Sequence, residues 1–281
     1  MPPDRRRLSA AMSAAVDRLR MRYGLQDAAN ERRLYAVVVK ALRAFLARVR
    51  RSVVSLSPAG EAPDLGQFPR PQVWDAHLDT VVLPELGQVF DQGWARVPTV
   101  DEGRDNPEPY RDAYLRSIRN RLTNYPDQVY EELREQLAQG LAAGEDVRQL
   151  RDRVKATLVV EEAATDWEAT RIARTEVHAA VNAGTYAAAK AHNERTEERQ
   201  RKLWISTADE RTRPTHRRAD RQQVDLIEPF HVGGALLQFP GDPQGPAGEV
   251  INCRCSMVTF GQLAADILNQ RAERVLYPKG A

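Results

Sequence analysis

Four residues in the C-terminal third of the chain are of types whose side chains can bind metal ions. Cys253 and Cys255 are its only cysteines, and His216 and His231 precede them. Thiolate and imidazole are preferred ligands of tetrahedral zinc, and residues i and i+2 of a strand face the same side. The four residues therefore predict a zinc site. The same pattern leaves a metal-free alternative, in which two small thiols are buried and His231 is hydrogen-bonded.

The spacing of the two cysteines also bears on their redox state. Alternate residues of an extended strand have Cα atoms about 6.5 Å apart, so a bridge between Cys253 and Cys255 would be strained. A single pair at this spacing is not a disulfide framework. We therefore expect both thiols to be free and the chain to work in a reducing compartment.

Asp209 begins a polar segment that directly follows a short aromatic strand. We expect its carboxylate to accept hydrogen bonds in an Asx-type turn and to pair with Arg211 or Arg213. A metal-dependent nuclease would need several carboxylates, and the nearby acids, including Glu210 and Asp220, match no two-metal spacing. The segment therefore predicts a structural role and no catalysis.

Arg174 and Glu176 belong to a long helical segment. Such a pair could bind a ligand, but charged residues on a helix more often join it to a neighbouring sheet through polar contacts. We predict the second arrangement. The residues assigned to this structural polar network are Arg174, Glu176, Asp209, Arg211 and Arg213.

Positive charge is concentrated at the N-terminal end. Residues 1–51 contain thirteen Lys or Arg and four acids, a net charge of +9, whereas residues 52–281 contain 28 and 35, a net charge of −7. Such a pole attracts phosphate backbones or acidic protein surfaces, although an Arg-rich helix can also be a solvated face without a partner. The arginines expected at a contact with DNA or protein are Arg5, Arg6, Arg7, Arg18, Arg20 and Arg22.

The first half of the sequence has the pattern of a segmented helical region. Apolar residues recur at helical spacing, and the predicted helices cover 8–23, 31–55 and 73–94. Pro84 is expected to kink the third of these. Clusters of Pro and Gly indicate a linker or exposed loop over 57–71 and another loop around 98–109.

The second half changes from helical to alternating periodicity. Three helices are predicted between 110 and 158, separated by Pro126 and Gly144, and a long helix over 162–195 has a stripe of small residues that permits close packing. Beyond Lys202 the predicted elements are a strand over 203–205, a hairpin turning at Gly233-Gly234, a closing strand over 250–260 and a helix over 261–274. The predicted fold class is α+β, a segmented helical N-terminal region followed by a small mixed α+β domain with a β-hairpin.

Composition excludes several classes of protein. Hydrophobic residues make up 42% and charged residues 28% of the chain, which is ordinary for a globular protein. No stretch approaches the roughly 18 apolar residues of a membrane span, and the first residues contain no apolar leader. Neither membrane insertion nor secretion is expected.

A series of motifs runs through residues 171–255. In chain order they are Arg171-Ile172-Ala173-Arg174-Thr175-Glu176, Asn182-Ala183-Gly184, Lys202-Leu203-Trp204, Asp209-Glu210-Arg211-Thr212-Arg213-Pro214-Thr215-His216, Glu228-Pro229-Phe230-His231-Val232-Gly233-Gly234, Phe239-Pro240-Gly241-Asp242-Pro243 and Asn252-Cys253-Arg254-Cys255. In order and spacing they resemble the phage Mu F-like family of head morphogenesis proteins. The resemblance covers residues 128–260, whereas residues 1–127 match none of the family's motifs.

One position departs from the family pattern. Where the family usually has Asp-Gly, this chain has Asp220-Arg221. A turn that needs positive φ must therefore be rearranged here, or Arg221 must adopt that conformation itself.

The resemblance implies a minor head protein of a tailed bacteriophage, which acts by binding and is not an enzyme. Its expected place is the head interior of the virion near the portal, and the host cytoplasm during assembly. The expected partners are the portal protein and double-stranded DNA, with the major capsid protein or a scaffold as further candidates. The expected roles are head morphogenesis and DNA packaging or ejection.

Other readings stay open at this point. The alternatives are a metal-dependent enzyme and a nucleic-acid-binding zinc module, and zinc is the one cofactor considered. Toxin domains follow Mu F-like domains in some longer polypeptides, but the 26 residues after Cys255 predict none here. The predicted domains are a basic helical region over 1–127 and a Mu F-like domain over 128–281, with helices to about 195, an α+β module over 202–260 and a C-terminal helix.

Overall fold

A computed structural model describes residues 10–54, 73–99, 101, 104–125, 127–196 and 198–261. Three predictions fall wholly or almost wholly outside these residues. They are the contacts of Arg5, Arg6 and Arg7, the linker over 57–71, and the C-terminal helix over 261–274.

The N-terminal helix is longer than predicted. Helix α1 (Ala10–Val54) is continuous, so the prediction of two helices separated between residues 23 and 31 was wrong. Gly24 costs a helix only about 1 kcal/mol relative to alanine. Asp27 and Asn30, which often end helices, are instead buried and held by side chains distant in sequence, Arg96 and Gln92.

The irregularity predicted at Pro84 is a π-helical turn. Helix α2 (Val73–His77) continues into a π-helical segment (Leu78–Val82) and then into α3 (Leu83–Trp94). A proline has no N–H to donate to the carbonyl four residues earlier. The wider turn directly before Pro84 accommodates that missing bond.

The three helices predicted between 110 and 158 are confirmed. They are α4 (Glu108–Thr123), α5 (Asp127–Ala142) and α6 (Val147–Thr196). Gly144, with φ of 72°, follows the end of α5. Reciprocal hydrogen bonds of 2.8 Å between Asp146 and Gln149 form a capping box at the start of α6. Helix α6 continues through the long helix predicted over 162–195, so the prediction of two separate helices, one ending near residue 158, was wrong.

The chain forms two compact units that interleave along the sequence. One contains residues 1–32, 86–115 and 174–281, and the other contains residues 33–85 and 116–173. The second unit is helical in its described residues, with a core that includes Phe45, Trp74 and Ile118. The predicted division at residue 127 was based on sequence pattern and family motifs and not on spatial compactness. It stays a prediction.

The first unit contains a three-stranded antiparallel sheet. Strand β1 (Gln200–Ile205) lies between β2 (Gln223–Asp225) and β5 (Ser256–Gly261). Successive side chains of β1 face opposite sides. Leu203 and Ile205 pack with Val16 of α1, and Trp204 contacts other elements on the opposite face.

The predicted hairpin is confirmed. Strands β3 (Phe230–Val232) and β4 (Ala235–Leu237) pair antiparallel. The turn residues Gly233 and Gly234 have φ of 58° and 88°, as a two-residue primed turn requires.

Two short helices complete this unit. Helix α7 (Pro214–Ala219) lies between β1 and β2, and α8 (Ala247–Val250) precedes β5. Strands and helices thus share the C-terminal region, and the predicted α+β class is confirmed. Among the helices of the described residues, none has both the length and the apolar character that crossing a membrane requires.

Candidate functional site

Helix α7 carries His216 into the interior of the first unit. Pro214 starts this helix, at a position where its missing N–H breaks no helical hydrogen bond. The His216 ring is buried and meets the Trp204 ring edge to face, with centroids 5.4 Å apart. Trp204 is fully buried, so it is a core residue and not an exposed stacking surface.

Cys253 and Cys255 lie in an irregular segment between α8 and β5. The closing strand was predicted from residue 250, but it begins at Ser256, so that boundary was wrong. The chain turns after α8, and Asn252 adopts a positive φ of 59° there. Both thiols are buried and free.

Three potential ligand atoms converge at this point. Nδ1 of His216 lies 3.3 Å from Sγ of Cys255 and 3.7 Å from Sγ of Cys253. All three atoms lie within 4.8 Å of one another, and each residue is only 2% exposed. One imidazole nitrogen and two sulfurs are a set of donors that could hold a metal ion.

Glu249 holds the opposite edge of the imidazole. Its Oε2 lies 3.0 Å from Nε2 of His216 and accepts a hydrogen bond of 2.9 Å from the Thr215 hydroxyl. A carboxylate accepts hydrogen bonds, so Nε2 is assigned as the donor. In the neutral ring the lone pair of Nδ1 then faces the sulfurs. Gly233 leaves room for this carboxylate, because a Cβ there would lie 2.2 Å from Oε1 of Glu249.

The segment over 251–255 is held from outside along its length. The hydrogen bonds run from Arg213 to the carbonyl of Ile251, from the amide of Asn252 to Thr175 Oγ1 at 2.9 Å, from Thr207 Oγ1 to the carbonyl of Arg254 at 2.8 Å and from Asn182 Nδ2 to the carbonyl of Cys255 at 2.9 Å. Thr175, Asn182 and Arg213 each belong to one of the motifs identified in the sequence. Motifs far apart in the chain therefore fix the position of one short segment.

The two thiols differ in acidity. The hydrogen bond from Cys255 lowers the pKa of Cys253, and the charges of Arg213 and Arg254 act in the same direction. That hydrogen bond, together with burial, raises the pKa of Cys255 well above its ordinary value.

His231 was predicted as a fourth ligand, and the structure does not place it in this cluster. It lies at the middle of β3, where its side chain is exposed while those of Phe230 and Val232 are buried. Its backbone N–H and carbonyl are paired with the Gln222 side chain. Because strand residues alternate in direction, burial of its two neighbours turns His231 outward.

Asp209 forms the predicted local turn with a different arginine from those predicted. Its carboxylate accepts a hydrogen bond of 2.9 Å from Thr212 and pairs with Arg254 at 2.7 Å. Arg211 is exposed, and Arg213 reaches Ile251 instead. Burial acts to raise the pKa of Asp209, but the hydrogen bonds from Arg254 and Thr212 lower it overall.

Arg174 lies between α1 and the segment before β5. Its guanidinium lies 3.5 Å from Oδ1 of Asn252 and 3.7 Å from Oε2 of Glu31. Burial acts to raise the pKa of Glu31, but the hydrogen bond with His178 and the charge of Arg174 lower it overall. Glu176, on the same helix, is fully buried.

The described arginines of the basic N-terminal region differ in their surroundings. Arg18 and Arg22 are exposed on α1. Arg20 is partly buried and pairs with Asp220 at 3.0 Å and with Asp17 at 2.6 Å. Arg20 thus connects α1 to the end of α7, and its contact with DNA or portal stays a prediction.

Lys202 is a buried cation that sequence reasoning did not single out. Its Nζ donates to the Gln238 carbonyl at 2.7 Å and lies over the rings of Tyr186 and Phe230, 4.8 and 5.1 Å from their centroids. Burial lowers its pKa to about 7, although the charge of Asp242 acts against this. One feature of the sequence could have indicated that Lys202 is buried. It lies two residues before Trp204, on the same face of β1.

Residues 131–258 match the sequence model of a family described as Phage Mu protein F like protein. This range lies within the 128–260 that the motifs indicated. No solved structure matches the chain.

Two characterised proteins are similar to this chain. It is 27% identical over 198 residues to the minor head protein GP7 of Bacillus phage SPP1, a match of 69% of this chain and 60% of that protein. It is 30% identical over 144 residues to the NAD(+)--arginine ADP-ribosyltransferase EFV of Enterococcus faecalis, a match of 50% of this chain and 28% of that protein. The matches thus span less than two thirds of either relative. Together with the family match, the similarity to GP7 supports a phage head protein.

Proposed function

We propose that this chain is a minor head protein of a tailed bacteriophage, because residues 131–258 match the sequence model of the Phage Mu protein F like family. In this role it binds the portal protein and double-stranded DNA inside the head, near the portal. It acts there in head morphogenesis and in DNA packaging or ejection, and not by catalysis. The major capsid protein or a scaffold is a further candidate partner during assembly in the host cytoplasm.

The similarity to the SPP1 minor head protein carries this proposal. That match covers 198 residues, more than residues 131–281 can contain. It therefore includes residues that precede the family match. A shared role for the N-terminal helices and the Mu F-like region explains this extent better than a Mu F-like region joined to an unrelated domain.

One exposed face of α1 has the composition of a protein-binding surface. Arg18, Met21, Arg22 and Leu25 follow the i, i+3, i+4, i+7 spacing of a single helix face. Met21 is 65% and Leu25 77% exposed, and both arginines are exposed as well. We name these four residues the α1 face and assign it to the portal, since apolar side chains flanked by cations fit an acidic protein surface.

DNA binding is assigned to the positive charge of residues 1–51 as a whole. Phosphate contacts by Lys and Arg release counterions, so this binding should weaken steeply as salt increases. Binding of the portal through the apolar residues of the α1 face should depend on salt less strongly. The salt dependence therefore separates the two partners.

The similarity to an ADP-ribosyltransferase raises an enzyme as the second candidate. It covers 28% of that protein, so the transferase activity is not carried over to this chain. Asp209, an acid in the polar segment after β1, is paired with Arg254 and serves there as a structural carboxylate. We expect no transfer of ADP-ribose from NAD to an arginine-containing acceptor protein, and incorporation of labelled ADP-ribose would favour the enzyme.

A binding experiment with charge-reversed variants tests the proposal. The full chain is incubated with the portal protein of the same genome, and separately with duplex DNA, over a series of salt concentrations. Arg18→Glu combined with Arg22→Glu should weaken portal binding at least tenfold. The matched control combines Arg148→Glu with Arg199→Glu, which changes the net charge equally at two exposed sites outside α1.

The two variants give distinct outcomes. Portal binding lost only in the α1 variant supports the assigned face. DNA binding reduced to a similar extent in both variants would contradict the assignment of DNA binding to residues 1–51. Wild-type protein that binds neither portal nor DNA at low salt would overturn the proposed binding function.

A further inference from the structure

The three donor atoms at His216, Cys253 and Cys255 have the spacing of ligands on one tetrahedral ion. With Zn–S distances of about 2.3 Å and Zn–N distances of about 2.0–2.1 Å, a nitrogen and a sulfur on neighbouring tetrahedral positions lie about 3.6 Å apart. The observed distances from Nδ1 to the sulfurs are 3.3 and 3.7 Å. We propose that this chain binds one zinc ion through Nδ1 of His216 and the Sγ atoms of Cys253 and Cys255.

Hydrogen bonding alone explains these positions less well. The Nδ1 atom of a neutral imidazole has one lone pair, yet two sulfurs lie within 3.7 Å of it. A metal ion between the three atoms accepts electron pairs from all of them. Thiolate sulfur and imidazole nitrogen also select zinc over magnesium or calcium, which prefer oxygen ligands.

Glu249 serves as the positioning residue of this site. Metal-binding histidines usually donate their second N–H to a carboxylate or a carbonyl, which fixes the tautomer and the ring orientation. Oε2 of Glu249 lies 3.0 Å from Nε2 of His216, and the Thr215 hydroxyl holds the same oxygen. The imidazole is thus oriented with Nδ1 toward the two cysteines.

In this arrangement the ion links two elements of the first unit. It joins α7 to the segment before β5, and that segment is already held to α6 through Thr175 and Asn182. Three protein ligands leave the fourth position of a tetrahedral zinc ion for water or another small ligand. His231 does not supply it, since its side chain is exposed on β3.

Metal content of the full chain tests the proposal directly. Protein purified under reducing conditions should contain about one zinc ion per chain. Cys253→Ser, Cys255→Ser and His216→Asn should each lower that content to a small fraction. His231→Asn is the matched control, because it removes a histidine that lies on the neighbouring hairpin, and it should retain the metal.

Cobalt substitution keeps the test independent of variants that fail to fold. Metal-free wild-type protein titrated with Co²⁺ should develop the intense visible bands of a tetrahedral site and the near-ultraviolet charge-transfer band of thiolate ligands. His231→Asn should give the same spectrum. Glu249→Gln should keep both sets of bands but bind metal at least tenfold more weakly in competition with a chelator.

Two results would overturn the zinc site. One is folded wild-type protein that contains no zinc and gives no cobalt spectrum under reducing conditions. The other is full zinc content in a variant that lacks both cysteines. Neither result bears on portal binding, which is measured separately, so the zinc site and the proposed function can fail independently.

Discussion

Arg221 adopts the left-handed backbone conformation that the family pattern assigns to glycine. Its φ is 63°, and its amide donates to the Trp204 carbonyl at 2.9 Å, so the turn is kept without the glycine. A side chain in this conformation costs about 1–2 kcal/mol. The guanidinium lies 3.5 Å from Asp17 and 3.7 Å from Asp220. Such partly exposed ion pairs contribute little stability, so they offset only a small part of the strain.

Replacement of Arg221 by glycine should therefore stabilise the protein. We expect Arg221→Gly to raise the free energy of unfolding by about 0.5–1 kcal/mol, since the greater freedom of glycine in the unfolded chain offsets part of the relieved strain. The measurement is urea denaturation followed by circular dichroism. Arg221→Ala is the control, because it removes the ion pairs and keeps the Cβ. A glycine variant less stable than the alanine variant would contradict this account.

Lys202 makes the stability of the protein depend on pH in the alkaline range. Its folded-state pKa is about 7, against an ordinary value of 10.5. Between these values the unfolded chain holds a proton on Lys202 that the folded chain has lost, so folding becomes more favourable as pH rises. Below about pH 7 both states are protonated, and the cost of burying the charge is fully present.

The variant Lys202→Met should remove this dependence. The stability of the wild type relative to Lys202→Met should rise by up to about 1.4 kcal/mol per pH unit between pH 7 and 10. Denaturation midpoints at pH 7, 8 and 9 measure it. Lys40→Met, at an exposed site of α1, should follow the wild type. A stability difference between Lys202→Met and wild type that is the same at every pH would show that Lys202 does not titrate as described.

For single residues, the type of chemistry could be inferred from the sequence more reliably than the contact partner. His216, Cys253 and Cys255 could be selected because few residue types bind zinc, and they do lie together. The partner of Asp209 is Arg254, 45 positions away, whereas the prediction looked only at its neighbours Arg211 and Arg213. The arginine that pairs with a carboxylate is decided by the folded arrangement of the chain. Local sequence spacing gives no information about that arrangement.

Between elements, α3 packs closely against α6 at two glycines. A Cβ on Gly93 would lie 2.0 Å from the Val181 carbonyl oxygen, and one on Gly184 would lie 2.0 Å from the Phe90 carbonyl oxygen. Both clashes are with backbone, which cannot move without displacing a helix. The small-residue stripe predicted close packing on α6, and this is confirmed.

Gly184→Ala should therefore destabilise the protein by about 3 kcal/mol or more. Helix propensity alone would favour alanine by about 1 kcal/mol, so the sign of the change separates packing from propensity. Gly24→Ala is the matched control, because that glycine lies within α1 with open space around it, and we expect a small stabilisation there. Thermal unfolding of both variants measures the difference. A Gly184→Ala variant as stable as the wild type would show that α3 and α6 are not in such close contact.

Element boundaries could be predicted where local signals dominate. The Gly233-Gly234 turn and the break at Gly144 depend on positive φ, which is a local property. The continuity of α1 was missed because the partners of Asp27 and Asn30 lie more than 60 residues away. The start of β5 was missed because the backbone of the segment over 251–255 bonds to side chains of α6 and of the loop between β1 and α7, and not to a neighbouring strand.

At the scale of the whole molecule, two compact units are built from interleaved stretches of sequence. Helices α1 and α6 each contribute residues to both units. Sequence patterns show helices but not which unit each part of a long helix joins, so this organisation could not be read from periodicity. The family motifs concentrate in the first unit, where they hold the segment over 251–255.

The presence of this chain in phage heads tests the proposed function most directly. Heads assembled from the genome that encodes the chain, with an affinity tag on it, can be purified by density gradient and treated with nuclease before the tag is detected. We predict that the tag sediments with heads and resists removal by salt, and that the Arg18→Glu, Arg22→Glu variant is depleted from them. A tag found only in the unassembled fraction, while complete heads form, would contradict the assignment as a minor head protein.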